Sequence, residues 1–135
     1  MGLPDYRDKT VCVTGGAGFI GSHLVRGLVR AGASVRILDD LSTGSRNNLV
    51  DLPPHVELVE GSILDRSART SALEGAEVVF HHAARVSVPE SLEDPAGYRR
   101  TNVDGTLAVL EAAAAAGTLN AVRIREFDGL KPYER

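Results

Sequence analysis

The stretch VCVTGGAGFIGSHL, residues 11–24, constrains this chain more than any other. An apolar, β-branched run breaks at Gly15, and the residues after Gly18 turn helical, so a strand, a tight turn and a helix follow one another directly. Gly15, Gly18 and Gly21 each meet a steric demand of that arrangement. The first permits the tight turn, the second lets backbone approach a pyrophosphate, and the third lets helix and strand pack closely. The N–H groups left free at the helix start then face the phosphate charge. Turn glycines without a ligand are the plain alternative, but the strand-to-helix context implies a dinucleotide site.

Such a site needs an acid about 20 residues further on, at the end of the second strand, to bind ribose hydroxyls. Asp39 sits there, with Asp40 beside it. Two acids repel a 2′-phosphate, so NAD is expected over NADP. A solvated strand end is the alternative for both.

The rest of the chain alternates in the same way. Residues 9–14 and 34–40 read as buried strands around a helix over 19–31, with Ile20, Leu24, Leu28 and Val29 on its inner side and Gly32 as its stop. A third strand is predicted at VELVEG, a helix capped by Asp65 runs through Leu73, and EVVFHHAA is a fourth strand. RVSVPESLEDP, with two prolines, reads as irregular, and 95–116 reads as one long helix with proline in its first turn and an alanine run. Val122, Arg123, Ile124 and Arg125 alternate like a half-exposed strand. Strands alternating with helices predict an open, doubly wound parallel α/β sheet of about five strands, order 3-2-1-4-5, with the ligand at the switch point beside strand one.

Composition narrows the function classes. With 135 residues, 43% hydrophobic and 24% charged, the chain suits about one soluble domain, and no separate substrate domain is expected. A net charge of −3 gives no general attraction to nucleic acid. The single cysteine, Cys12, lies in the first apolar run, where burial keeps a thiol protonated, and a reducing compartment is expected. Neither a secretion signal nor an apolar run near 20 residues is visible, so no membrane partner and a cytoplasmic location are expected. His81 and His82 have no further ligand at useful spacing, and no metal is expected.

TGGAGFIGSHL, LDDLSTG, HHAARVSVPES and EDPAGYRRTNVDGTLAVLEAA, in this order, resemble the N-terminal half of the extended short-chain dehydrogenase/reductase family. More narrowly they resemble its NAD-dependent nucleotide-sugar epimerases and dehydratases, typified by UDP-glucose 4-epimerase. The resemblance spans residues 8–117 and implies that Gly15, Gly18, Phe19 and Ile20 line the pyrophosphate turn and Asp39 holds the adenosine ribose. It also places Ser42, Thr43 and Gly44 near that ribose and any NADP phosphate, Ile63 against the adenine, and His82, Ala83 and Ala84 beside the cofactor. Ser62 stands where the family usually carries an Asp that bonds the adenine amino group. Ser87 and Ser91 could face a substrate, Tyr98 would pack along the long helix, and Asn102 matches an asparagine that supports a proton relay. A nucleotide sugar is implied as a further ligand.

The chemistry of that family depends on a Tyr with a Lys four residues later. Here Tyr6 is followed at that spacing by Thr10 and Tyr98 by Asn102, while Tyr133 lies two residues from the last. No catalytic residue is therefore assigned. Residues 1–117 are expected to form an NAD-binding domain, and 118–135 a segment unlike the family, an edge strand or an exchanged tail. An NAD-binding module without catalysis of its own is the leading expectation. Half of an enzyme completed by a partner chain, and a shortened or joined fragment without useful binding, are the others. A sheet cut short exposes an edge and a helix face, so a homo-oligomer is expected.

Overall fold

A computed structural model describes residues 5–118 and 122–124. Five parallel strands, β1 (Thr10–Thr14), β2 (Ser34–Asp39), β3 (Glu57–Glu60), β4 (Val78–His81) and β5 (Val122–Ile124), form one sheet in the order β3-β2-β1-β4-β5. Register pairs Val13 with Ile37 and with Phe80, placing the carboxyl ends of β1, β2 and β4 side by side. The open, doubly wound α/β architecture and the strand order are those expected. Residues 1–4, 119–121 and 125–135, and with them most of the segment 118–135 expected as an edge strand or exchanged tail, lie outside the described residues.

The three central strands alternate between two buried faces. Val11, Val13, Val35, Ile37, Val78 and Phe80 point to one side, where helix α1 (Phe19–Arg30) covers them with Val25 and Leu28. Cys12, Leu38 and Val79 point to the other, beneath helices α2 (Arg66–Leu73) and α5 (Gly105–Ala115). Both faces being covered explains why these strands read as continuous apolar runs.

Helix α1 ends where Gly32 takes φ 85°, and Ala33 donates back to the Leu28 carbonyl at 3.0 Å. Leu28, Leu24 and Val29 lie on its inner face as expected, and Ile20 does not. Gly21, Ser22, Val25 and Leu28 are buried, whereas Ile20 is 56% exposed, because the small residues Gly21 and Ser22 must face the glycine turn. Asp65 caps α2 by accepting the Ser67 N–H at 2.9 Å, as expected. At its other end Arg36 donates to the carbonyls of Ala72 and Glu74, at 3.0 and 2.7 Å, satisfying acceptors the helix leaves open.

The region after β4 departs from expectation twice. RVSVPESLEDP is not wholly irregular: α3 (Val88–Glu93) starts within it, capped by Ser87 and with proline in its first turn, where no intrahelical donor is lost. The long helix is not one α-helix. It comprises α4 (Pro95–Arg99), a π-helical segment (Arg100–Asp104) and α5. A side chain on Gly105 would press on Ile63, so this glycine lets the helix descend onto the core directly after the wide turn.

Candidate functional site

Strand β1 delivers Thr14 and Gly15 to the carboxyl end of the sheet. Gly15 takes φ 72°, a left-handed conformation that favours glycine, and a side chain there would meet the backbone of His82 and Ala83 at 2.8 Å. Gly21 lies so close to the Gly15 carbonyl that a side chain would overlap it. Gly18 is different: extended at φ −76°, ψ 175°, it has only the Gly15 carbonyl, 3.3 Å away, within reach of a β-carbon. The tight turn therefore falls on Gly15, the open position on Gly18 and the close packing on Gly21.

Helix α1 starts without a side-chain cap and without an acid in its first turn. By contrast α2, α3 and α4 are capped by Asp65, Ser87 and Asp94. An uncapped start leaves amide donors and the positive end of the helix dipole available to an anion.

The Asp39 carboxylate, 7% exposed, reaches into this turn and accepts the N–H of Ala17 and of Leu41, both at 2.9 Å. Each oxygen keeps a further lone-pair site for another donor. Asp40 is exposed and accepts from the Ser42 amide and hydroxyl at 2.9 and 2.7 Å, shaping the loop locally. That loop folds back over the turn. Ser45 donates its N–H to the Ala17 carbonyl at 3.1 Å, and a side chain on Gly44 would press on Ala17.

Between these parts lies an open cleft of about 650 Å³, solvent at its mouth included. Gly15, Gly18, Asp39, Asp40, Ser42, Ser62, Ile63, His82, Ala83 and Ala84 line it, so ten of the residues singled out in the sequence come together there. Thr43, of the STG stretch expected near the ribose, lines it too, as do Gly61, Arg85 and Thr101, which carried no separate sequence signal. Ser62 accepts the Leu64 N–H at 3.0 Å, which leaves its hydroxyl hydrogen and one lone pair for a ligand. Ile63 is 4% exposed, and much of its side chain packs into the core.

Five expected site residues do not line the cleft. Phe19 and Ile20 are exposed, the Phe19 ring lying against His23 at 4.9 Å, so only their backbone sits at the helix start. Gly21 and Gly44 act through packing. Asn102 also stands back: its side chain accepts the Arg85 N–H and donates to the Arg85 carbonyl, both at 2.9 Å. That double bond to one backbone unit pins the loop beside the cleft.

The serines and tyrosine beyond the loop bond locally. Ser91 donates to the Val88 carbonyl at 2.6 Å. The Tyr98 hydroxyl accepts the Ser87 N–H at 3.0 Å and donates to Glu90 at 3.2 Å, and the Arg85 guanidinium covers its ring at 4.4 Å. Arg85 is held in turn by Asp94 at 3.0 Å. Burial pushes the Cys12 thiol up to about 12, so it is no nucleophile. Among the described residues no three His, Cys, Asp or Glu side chains group as metal ligands, and no helix is long and apolar enough to cross a membrane.

Comparison with known proteins gives a consistent match. The model of the NAD dependent epimerase/dehydratase family matches residues 11–124. The UDP-glucose 4-epimerase of Azospirillum brasilense is 42% identical over 112 residues, covering 79% of this chain and 30% of the relative. An epimerase from Methanothermobacter thermautotrophicus superposes with a TM-score of 0.79 at 40% identity, covering 83% of this chain and 33% of that one. The UDP-glucose 4-epimerase of Brucella ovis in complex with NAD superposes at 0.73 and 40% identity, covering 82% and 33%. The chain thus spans about a third of the length of the proteins it matches.

Proposed function

Because this chain belongs to the NAD dependent epimerase/dehydratase family, we propose that its cleft holds NAD by the ADP portion. The observation that carries this reading is the uncapped start of α1 facing the same cleft as the Asp39 carboxylate. An anion fits the first and a ribose diol the second. The turn also suits the group sterically, since at Gly18 only the Gly15 carbonyl lies within reach of a β-carbon and the approach from the cleft is open.

In this reading the backbone around Gly18, Phe19 and Ile20 receives the pyrophosphate. Asp39 accepts the adenosine ribose hydroxyls through its remaining lone pairs, with Asp40 adding the negative charge that turns away a 2′-phosphate. The base then extends toward β3, where Ser62 offers a hydroxyl and Ile63 an apolar wall. The nicotinamide end runs the other way, along His82, Ala83 and Ala84. Bound NAD supplies a hydride acceptor or donor. The 135 residues hold no Tyr-x-x-x-Lys pair to exchange a proton with a sugar hydroxyl, so we infer that they bind NAD without turning over a nucleotide sugar by themselves.

Backbone amide spectra recorded during a titration with NAD test this. Shifts confined to residues 15–20, 38–44, 61–63 and 82–85 are expected. Shifts elsewhere, or none at millimolar NAD, would overturn the reading.

A further inference from the structure

Beneath the cleft runs a buried hydrogen-bond chain whose protons can all be placed by counting. Thr14 Oγ1 accepts the N–H groups of His82 and Ala83, at 3.0 and 3.1 Å, and lies 2.6 Å from His81 Nδ1. The His82 N–H is shared with the Thr14 carbonyl, also at 3.0 Å, and with the Ala83 N–H on Oγ1 as well the Thr14 hydrogen is left to point at Nδ1. At the other ring nitrogen, Thr106 Oγ1 lies 2.9 Å from Nε2 and donates its hydrogen to the Asn102 carbonyl at 2.7 Å. Thr106 can then only accept from His81, so Nε2 carries the ring proton. His81 is 5% exposed and Thr14 is fully buried, so water does not compete for the bond between them.

The chain ends where the cleft wall does. Thr14 fixes the start of loop 82–85, and the Asn102 side chain fixes its end through both backbone groups of Arg85. Thr106, one turn along from Asn102, is no part of the cleft lining. We propose that neutral His81, protonated at Nε2, is a positioning residue that ties loop 82–85 to helix α5 through Thr14 and Thr106. The loop is thereby held against Gly15, whose missing side chain makes room for it. Burial, and secondarily the charge of His82, hold the His81 ring down at about 4, in keeping with a ring that must accept at Nδ1. The consequence for NAD rests on the reading of the cleft given above; the tautomer and the tie do not.

Two measurements on the whole chain test it. Ring ¹⁵N spectra at neutral pH should show His81 as the Nε2–H tautomer, and an Nδ1–H tautomer or a rapidly exchanging mixture would overturn the proposal. Thr106→Val removes the acceptor without touching the cleft. It should speed amide exchange at His82, Ala83 and Arg85 and weaken NAD binding by roughly three- to thirtyfold, and Thr106→Ser should restore both. Unchanged exchange at those amides in a folded Thr106→Val, or no rescue by serine, would overturn the tie. If the parent chain binds no NAD, the function proposed above fails, while the ring spectra and amide exchange still decide this one.

Discussion

Asp39 and Ala17 are joined by a 2.9 Å hydrogen bond from the Ala17 amide to the carboxylate, across a separation of 22 in sequence. The acid at the end of β2 is thus part of the turn it faces. Asp39→Asn keeps the shape but gives one acceptor oxygen where two amides, Ala17 and Leu41, need one each. Chemical denaturation should show a loss of about 1–3 kcal/mol, and NAD affinity should fall beyond what stability explains. Unchanged affinity in a folded variant would remove Asp39 from the ribose.

The three glycines should separate by function. Gly21→Val forces a branched side chain into the Gly15 carbonyl and should destabilise the fold by about 3 kcal/mol or more. Gly18→Val faces open cleft and should leave the melting temperature nearly unchanged while abolishing binding. Thermal melts beside titrations of both variants check this. A Gly18→Val that binds like the parent would contradict the placement of the pyrophosphate.

Discrimination between cofactors follows from Asp39 and Asp40. Bringing a 2′-phosphate to two carboxylates is a like-charge contact costing several kcal/mol, so NADP should bind at least about tenfold more weakly than NAD. Replacing both acids with Asn should narrow the gap. Competition titrations with the two cofactors measure it, and equal affinities for the parent chain would refute the reading.

Cys12 predicts a pH dependence with a definite sign. Its thiol is raised to about 12 by burial, while an unfolded thiol ionises near 9. Between those values the unfolded chain binds fewer protons, so stability falls as pH rises through that window. Cys12→Ala should flatten the slope in denaturation series, and the native thiol should resist a thiol reagent until denaturant is added. Rapid labelling of the folded chain would show that the thiol is not buried.

His81 predicts the opposite slope in acid. Its folded value near 4 lies below the ordinary 6.5. From 6.5 down to 4 the unfolded chain takes up the proton first, so stability is lost as pH falls, by up to about 1.4 kcal/mol per pH unit. His81→Gln should lose that share of the slope in paired urea series, and parallel slopes would contradict it.

Much of this was legible in the sequence because the central strands bury both faces and the glycine turn is built from local geometry. Val11, Val13, Ile37 and Val79 declare themselves by composition, and Asp39 by its distance from Gly15. What escaped depends on tertiary contacts. Ile20 fits a helical stripe, yet it is turned outward because Gly21 must meet Gly15. The π-helical segment RTNVD gave no signal, since helical propensity specifies helix but not its pitch. Two prolines hid α3, although proline is at home in a first turn. Thr14 and Thr106 gave no signal, since their importance lies in a histidine between them in space.

Whether this cleft holds NAD is decided by calorimetric titration of NAD into the chain. Saturable one-to-one binding that vanishes in Gly18→Val is expected. Absence of saturation at several millimolar NAD, or equal binding by Gly18→Val, would contradict it.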